Sequence, residues 1–308
     1  MSDRIVLQNL VSKLKSGNKL VQKVVLDIMS DAFGGGAATG RWNWKQATDL
    51  IEGAMSSIVL EGQHQTLTDF THLQSLAPHH QVRSEEQMEL QQFSTTLPLA
   101  WIVKELAAIQ STDTVLEPSA GTGILAASSI YKLQNNPQLL ILNEISKSRN
   151  LLLYEIFAVA PIYSIDAEYL NDILPQTLSP DIVVMNPPFS SSISRSKRDP
   201  DVCLKHVRSA LSRLKPQGRL VAIVAHWLSP EKYPQYFANL PAQLQSSFFV
   251  EGRHYRYHGT TMDVRVLVFD KVPQSHRTSS IDRTKLSIEQ LAELLLENTP
   301  SRLKLTTN

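Results

Sequence analysis

The chain has 308 residues, 42% hydrophobic and 19% charged, which is typical of a globular protein with one large core and an appendage. Its 30 Lys and Arg residues against 29 Asp and Glu residues give a net charge of +1, which excludes the basic excess of a protein that coats nucleic acid. The single cysteine, Cys203, excludes a disulfide framework and a cysteine-rich zinc site, and no apolar run is long enough to span a membrane. We therefore expect a cytoplasmic protein with no membrane contact and no metal.

The first region, residues 1–90, is predicted to be helical. Its apolar residues recur at helical spacing: Leu7, Leu10, Val11, Leu14, Leu20, Val21, Val24, Val25 and Ile28. The glycine cluster Gly34-Gly35-Gly36 ends this helical stretch, because consecutive glycines favour coil. A second amphipathic helix is expected from Trp44 to about Leu60, with Trp42 and Trp44 as packing residues. The polar, His-rich stretch from Gln63 to Arg83 is predicted to be a connector.

The second region, residues 91–271, alternates short apolar runs with helical patterns, which predicts an α/β fold with a doubly wound parallel sheet. The expected parallel strands are Thr114–Leu116, Leu139–Leu142, Ile162–Ile165, Ile182–Met185 and Leu220–Val224. Two later runs, Ser247–Val250 and Val264–Phe269, are joined by a loop without a helix. They are therefore expected to pair antiparallel, as a hairpin that ends the sheet.

The third region, residues 272–308, is predicted to be a linker followed by a short C-terminal helix. The linker is the polar run from Pro273 to Ser280. The helix opens at Ser287-Ile288-Glu289-Gln290, which matches a capping box with Ser287 as the N-cap and Gln290 reaching back.

A glycine-rich turn follows the first expected strand. It reads Glu117-Pro118-Ser119-Ala120-Gly121-Thr122-Gly123 and leads into a helix at Ile124. Gly121 and Gly123 permit a sharp turn and a close approach to a ligand, and the helix N-terminus offers N–H groups to an anion. A turn of this kind serves SAM (S-adenosylmethionine), a dinucleotide or tight packing alone, so by itself it does not decide between them.

Carboxylates end the next two strands. Glu144 follows the second strand, where it can accept hydrogen bonds from ribose hydroxyls or remain a solvated residue at a helix start. Asp166 follows the third strand, where it can accept from an adenine amino group or cap the next segment. Their positions at successive strand ends predict a ligand cleft at this edge of the sheet.

The fourth strand ends in Asn186-Pro187-Pro188-Phe189, the most specific motif in the chain. Two prolines make the turn rigid and remove two backbone donors, so it presents acceptors: the Asn186 side-chain oxygen and the Pro187 carbonyl. Such acceptors can hold the hydrogens of a planar NH2 group and direct its lone pair at a methyl donor. Phe189 is placed to stack on a base.

With the glycine turn ahead of the Asn-Pro-Pro-Phe motif, the core resembles the class I SAM-dependent methyltransferases that modify exocyclic amines, the N6-adenine type above all. Five parallel strands and a terminal hairpin match the fold of that family. The resemblance implies SAM as the cofactor and Asn186, Pro187, Pro188 and Phe189 as catalytic residues. The cofactor-binding residues that it implies are Phe93, Thr95, Glu117, Pro118, Ala120, Gly121, Gly123, Glu144, Asp166, Ala167 and Asn186. Phe93 and Thr95 lie in Gln92–Pro98, where Leu97 separates Thr96 from the proline that the family tends to place directly after Thr.

Within this branch, residues 30–270 are similar to the methylase-like N-terminal module of bacterial strawberry-notch-type helicase proteins. The segments that carry this likeness are Phe33-Gly34-Gly35, Gly40–Lys45 and His258–Arg265. In such proteins a helicase portion follows, which implies a helicase partner.

Two segments mix basic residues with aromatic or flexible ones, as nucleic-acid contacts do, although each also fits an ordinary solvated loop. They are Ser190–Arg198 and Glu251–Gly259, and the candidate substrate contacts in them and beside them are Phe189, Arg195, Lys197, Arg253, Tyr255, Arg256 and Tyr257. The leading hypothesis is methylation of adenine N6 in nucleic acid, with DNA favoured over RNA and the base flipped out or unpaired. Two alternatives stay open: another planar amine (guanine N2, RNA adenine or a glutamine amide) and a non-catalytic module that works with a helicase or other DNA-processing partner. The oligomeric state is left undetermined.

Overall fold

A computed structural model describes residues 2–78, 94–189, 200–258, 261–272, 280–298 and 300–302 of the chain. Within these ranges, an eight-stranded sheet lies between two layers of helices. The strands are β1 Val115–Glu117, β2 Leu140–Asn143, β3 Ile162–Tyr163, β4 Ile182–Met185, β5 Arg219–Ala225, β6 Gln243–Val250, β7 Val264–Asp270 and β8 Ser280–Leu286.

The strand order is β3-β2-β1-β4-β5-β7-β6-β8. Strands β1 to β5 pair in parallel, and β7 lies antiparallel between β5 and β6. The seven predicted strands and the antiparallel pairing of β6 with β7 are thus confirmed, but the prediction that this hairpin ends the sheet is wrong, because β8 lies beyond β6. The order reverses between β1 and β4, so the carboxyl ends of these two strands flank a crevice in which open α/β sheets bind ligands.

Strand β8 lies in the segment that was predicted to be linker. It pairs parallel with β6, with Ser246 opposite Ser280 and Val250 opposite Leu286. Its sequence, Ser-Ile-Asp-Arg-Thr-Lys-Leu, gives little apolar signal, and Thr284 and Lys285 in its second half are exposed, as is typical of an edge strand.

The helices are α1 Ser2–Lys15, α2 Gln22–Phe33, α3 Trp44–Leu60, α4 Leu67–Leu76, α5 Leu97–Leu106, α6 Ile124–Ser129, α7 Lys147–Ile156, α8 Leu170–Ile173, α9 Pro200–Arg213, α10 Pro234–Ala238 and α11 Ile288–Glu297. The first helical stretch is interrupted between α1 and α2, where Gly17 has a left-handed φ of 71°. It ends, as predicted, at Gly34, which caps α2 in the left-handed region. Ser287 and Gln290 form the predicted capping box of α11.

The prediction of a connector from Gln63 to Arg83 is wrong where α4 forms. Thr66 and Asp69 make a reciprocal capping box, which satisfies the free N–H groups of the first turn. Phe70 and Leu73 are buried and attach the helix to the core. With Leu76, three apolar residues in ten are buried, which is a weak periodic signal, and the cap was the stronger evidence.

The two faces of the sheet carry separate apolar layers. Successive side chains of β5 point to opposite faces of the sheet, and Val221 and Ile223 pack in the layer that includes α1 to α6 and α11. Ala222 and Val224 face the other layer, which includes α8 and α9. Helix α3 packs on α6 and α7, at whose N-terminal ends the ligand crevice lies. Helix α3 therefore lies directly behind the wall of that crevice.

Candidate active site

A single cleft lies at the carboxyl ends of β1, β2 and β4. The predicted site residues that line it are Thr95, Glu117, Pro118, Ala120, Gly121, Glu144, Asp166, Ala167, Asn186 and Pro188. Residues from the glycine turn, from two strand-end carboxylates and from the Asn-Pro-Pro turn thus face one space. The sequence-based interpretation required this arrangement.

The glycine turn is held by Glu117. The Glu117 carboxylate, 2% exposed, accepts a hydrogen bond from the Ala126 N–H at 2.8 Å, in the first turn of α6. The N–H groups of this helix N-terminus were predicted to be available to an anion, and Glu117 occupies one of them. Burial raises the pKa of Glu117 well above its ordinary value.

Gly123 packs too closely for any side chain. It has a φ of 84°, and a Cβ at this position would lie 2.4 Å from Cε2 of Phe157. The residue therefore lies behind the cleft wall, where it lets α6 and α7 pack together.

Glu144 is fixed by backbone donors on both of its oxygens. Its Oε2 accepts from Gly121 N and its Oε1 from Ser146 N, each at 2.7 Å. Burial raises the pKa of Glu144, while the Ser146 hydrogen bond and then the Arg149 charge act in the opposite direction. The carboxylate joins the end of β2 to the glycine turn and presents its remaining lone pairs to the cleft.

Asn143, which sequence reasoning missed, ties three strand ends together. Its Nδ2 donates to the Pro118 and Ile165 carbonyls at 2.8 Å, and its Oδ1 accepts from Ile165 N at 2.8 Å. A polar residue at the end of an otherwise apolar buried strand was the available signal.

Asp166 caps the next segment, one of the two roles that the sequence left open, and it also lies at the cleft. Its Oδ1 accepts from Glu168 N at 3.0 Å and so caps the short 3-10 turn Ala167–Tyr169. Its side chain is exposed and lines the cleft. The cap fixes the carboxylate at the rim without removing it from the cleft.

The Asn-Pro-Pro turn follows β4 directly. Asn186 Nδ2 donates to Thr95 Oγ1 at 3.1 Å, and this hydrogen bond sets the plane of the amide. Pro188 lines the cleft, whereas Pro187 is buried behind it. The turn therefore has a fixed side-chain amide at its cleft side.

Two predicted stacking residues lie in the core. Phe189 is 4% exposed and Tyr255 is 1% exposed, and both belong to the apolar layer on the α1–α6 side. The prediction that Tyr255 contacts a base is wrong for this conformation, because its ring has no face open to solvent. Phe189 would have to turn outward to stack on a base.

The other predicted contacts lie elsewhere. Arg253 has a 75% exposed side chain that pairs with Glu251 at 3.5 Å, and Arg256 is exposed, but neither lines the cleft. Both lie in the 3-10 turn Gly252–His258, as does Tyr257, whose side chain is outside the described part. Phe93, Arg195 and Lys197 also lie outside the described residues.

Helix α3 contributes an acidic pair that sequence reasoning also missed. Asp49 accepts from Arg149 Nε and Nη2 at 3.0 and 2.9 Å. Glu52, 2% exposed, accepts from the Ser94 hydroxyl at 2.7 Å and the Thr122 hydroxyl at 3.2 Å. Ser94, Thr122 and Arg149 all line the cleft. The only sequence signal was acidic residues at helical spacing within the apolar face of α3.

A row of cations and rings extends along the sheet from the same edge. Arg265 on β7 lies between Val224 and Phe249, and Phe249 on β6 pairs with Lys285 on β8. The Arg265 and Lys285 charges lie 5.5 and 5.8 Å from the Phe249 ring centre. His226, directly after β5, stacks on Phe249 at 6.0 Å. We call Arg265, Phe249, Lys285 and His226 the cationic row.

No family model and no curated protein matches the sequence. Solved structures match the fold. A type I restriction-modification methyltransferase subunit from Streptococcus thermophilus is 15% identical with a TM-score of 0.53, covering 94% of this chain and 72% of that one. A modification subunit assigned to a type I restriction enzyme of Vibrio vulnificus YJ016 is 15% identical with a TM-score of 0.52, covering 93% and 68%.

A third structure, assigned as a class I SAM-dependent methyltransferase from Listeria monocytogenes, is 12% identical with a TM-score of 0.51, covering 96% of this chain and 88% of that one. The described residues contain no helix that is long and apolar enough to cross a bilayer. At sequence identities of 12–15%, the similarity to these structures shows a shared fold. The chain has the fold of the class I SAM-dependent methyltransferases, with helices added ahead of the sheet.

Proposed function

We propose that this chain transfers a methyl group from SAM to a planar exocyclic amine, and that the amine is N6 of adenine in DNA. One observation carries the proposal. The rigid Asn186-Pro187-Pro188 turn lines the same cleft as the strand-end carboxylates Glu144 and Asp166. A ligand that the carboxylates bind would therefore lie beside an amine that the turn binds.

The chemistry of the cleft fits the cofactor. Glu144 offers carboxylate acceptors suited to ribose hydroxyls, and Asp166 offers one suited to an amino group on a purine ring. Between them, Ile145 lines the cleft with its side chain 60% exposed. A large apolar side chain left open at a cleft is a suitable cover for a planar ring. SAM, when bound, supplies the electrophilic methyl group.

The chain's own contribution is to position the amine. The Asn186 side-chain oxygen and the Pro187 carbonyl accept the two amine hydrogens, which draws the nitrogen towards tetrahedral geometry and directs its lone pair into the cleft. The nitrogen gains a methyl group and releases one proton to solvent. Because Thr95 orients the Asn186 amide, the turn needs little reorganisation for this step.

The cationic row supports nucleic acid as the carrier of the amine. The row begins beside the end of β5, next to the strand that carries Asn186. Its accessible cation is Lys285, whose 46% exposed side chain also pairs with Asp263, whereas Arg265 is buried and lies against the Phe249 ring. Cations that contact phosphates, next to rings that stack on bases, are typical of single-stranded nucleic-acid sites. A flipped base leaves its strand running along such a surface. Two structural neighbours are modification or methyltransferase subunits of type I restriction systems, which favours DNA over RNA.

The narrower likeness to strawberry-notch-type modules, the helicase partner and the cytoplasmic location remain proposals. They rest on the sequence segments named above. The alternatives of another planar amine and of a non-catalytic module are separated by the following experiment.

The test is methyl transfer by purified protein from labelled SAM to DNA and RNA, followed by digestion to nucleosides. Asn186→Ala should lower label on adenine about 100-fold or more, the usual cost of removing one transition-state hydrogen-bonding group. Asn239→Ala, which removes an exposed asparagine at the end of α10, is the matched control and should equal the wild type. Equal label from the wild type and Asn186→Ala would refute the proposal. Label on another amine, or SAM binding without any product, would favour one of the alternatives.

A further inference from the structure

The cleft wall near α3 consists of hydroxyl groups that share one buried acid. Ser94 and Thr122 line the cleft, and both donate their hydroxyl hydrogens to Glu52 Oε2. A hydroxyl has one hydrogen and two lone pairs, so a hydroxyl that donates inward can only accept on its other side. The wall therefore presents acceptors to a ligand.

We infer that Glu52 is a positioning residue of the cofactor cleft, which makes the Ser94 and Thr122 hydroxyls acceptors for an ammonium group on the ligand. The inference rests on the proposed function, because SAM carries an ammonium group at its amino-acid end. It also gives α3 a part in cofactor recognition that acts through these two hydroxyls. The role belongs to α3 rather than to any strand-end motif of the sheet.

The charged groups around Glu52 influence its pKa, and therefore the pH range in which it is ionised. Two charged residues face Glu52: Arg149 on α7 and Asp49 on the same helix as Glu52. Asp49 is itself paired with Lys45 at 3.3 Å and with Arg149. The glycine turn and the segment before α5 contribute the two hydroxyls, and α6 contributes no charged residue. Burial outweighs the attraction of Arg149 and raises the pKa of Glu52 from its ordinary value to about 7.

Ionisation of Glu52 and binding of an ammonium ligand are therefore coupled. Protonation removes the negative charge to which both hydroxyls donate, so their oxygens become weaker acceptors and an ammonium group loses the attraction of a carboxylate behind the wall. With a pKa of about 7, the ionised fraction of Glu52 rises about tenfold between pH 6 and pH 8. If only the ionised form binds, the affinity rises by the same factor.

The test is isothermal titration at pH 6, 7 and 8 with two ligands. S-adenosylhomocysteine carries the amino-acid end, and 5′-methylthioadenosine lacks it. Affinity of the wild type for S-adenosylhomocysteine should rise up to about tenfold from pH 6 to pH 8. In Glu52→Gln this affinity should be weaker and constant within about twofold. 5′-Methylthioadenosine should show no such dependence in either protein.

Glu61→Gln removes an exposed carboxylate at the end of the same helix and should behave as wild type. Thr122→Val keeps the side-chain shape and should weaken binding of S-adenosylhomocysteine but not of 5′-methylthioadenosine. This result tests the inference even if Glu52→Gln does not fold. A pH-independent affinity of the wild type, or the same pH dependence in Glu52→Gln, would overturn this inference and leave the proposed function standing. Failure of the wild type to bind either ligand would overturn both.

Discussion

Arg149 on α7 forms a buried ion pair with Asp49 on α3, and replacing it with Met tests how much that contact stabilises the fold. Its side chain is 4% exposed and bonds Asp49 through two nitrogens, with Glu52 and Glu144 close enough to interact electrostatically. Met keeps an apolar stem of similar length but removes the charge. All three carboxylates would then lose the Arg149 charge, and Asp49 would keep Lys45, which lies 3.3 Å away.

Removing one partner of a buried ion pair costs about 3–5 kcal/mol, because the other charge stays buried without compensation. Since Lys45 retains part of that compensation, we expect Arg149→Met to lower the free energy of unfolding by about 3 kcal/mol at pH 8. At pH 6 the loss should be smaller, because Glu52, with its pKa of about 7, takes up a proton. Urea unfolding followed by circular dichroism measures both values.

A surface pair between α1 and α7 supplies the control. Arg4 and Glu155 lie 3.6 Å apart with side chains 67% and 45% exposed. Arg4→Met should therefore change stability by less than about 1 kcal/mol. If Arg149→Met also stayed within that margin, the buried cluster would not join α3 to the sheet, and the reasoning about the cleft wall would fail with it.

Three further predictions follow from the same geometry. The pKa of Glu52 is higher in the folded state than in the unfolded state, so the native state binds the proton more tightly. The free energy of unfolding should therefore fall by up to about 3 kcal/mol as the pH rises from 5 to 8. In urea titrations, Glu52→Gln should show a smaller dependence on pH. Gly123→Ala should destabilise the protein and abolish cofactor binding by calorimetry, because its Cβ would meet Phe157 at 2.4 Å in a left-handed backbone; an affinity equal to that of wild type would refute this packing. Phe249→Ala should weaken binding of a fluorescent single-stranded oligonucleotide about 5- to 100-fold, with affinity for S-adenosylhomocysteine unchanged, and equal oligonucleotide affinity would exclude the cationic row as the strand contact.

The sequence predicted those parts of the fold that depend on local pattern. An uninterrupted apolar run gave β4 its observed bounds, Ile182–Met185, and the sequence motif that follows it identified the Asn-Pro-Pro turn. Strand β8 and helix α4 were missed, because β8 has only two apolar residues in seven and α4 is too short for three buried apolar residues to show a clear period. Helix capping residues would have found α4.

In the candidate site, too, residues with a local sequence pattern were predicted and residues without one were missed. The residues at strand ends were predictable, because parallel strands bring their carboxyl ends to one edge. The Asp49–Arg149 contact joins positions 100 residues apart, and no local pattern encodes it. Tyr255 was misassigned because interleaved basic and aromatic residues look alike whether the ring faces solvent or, as here at 1% exposure, the core.

A crystal structure of the protein with S-adenosylhomocysteine tests the central claim most directly, since that claim is geometric. We predict that the ribose contacts Glu144, that the purine ring lies against Ile145 near Asp166, and that the sulfur faces the Asn186 side chain. A ligand bound outside this cleft, or one whose sulfur points away from Asn186, would contradict the proposal that a methyl group passes to an amine held by the Asn-Pro-Pro turn.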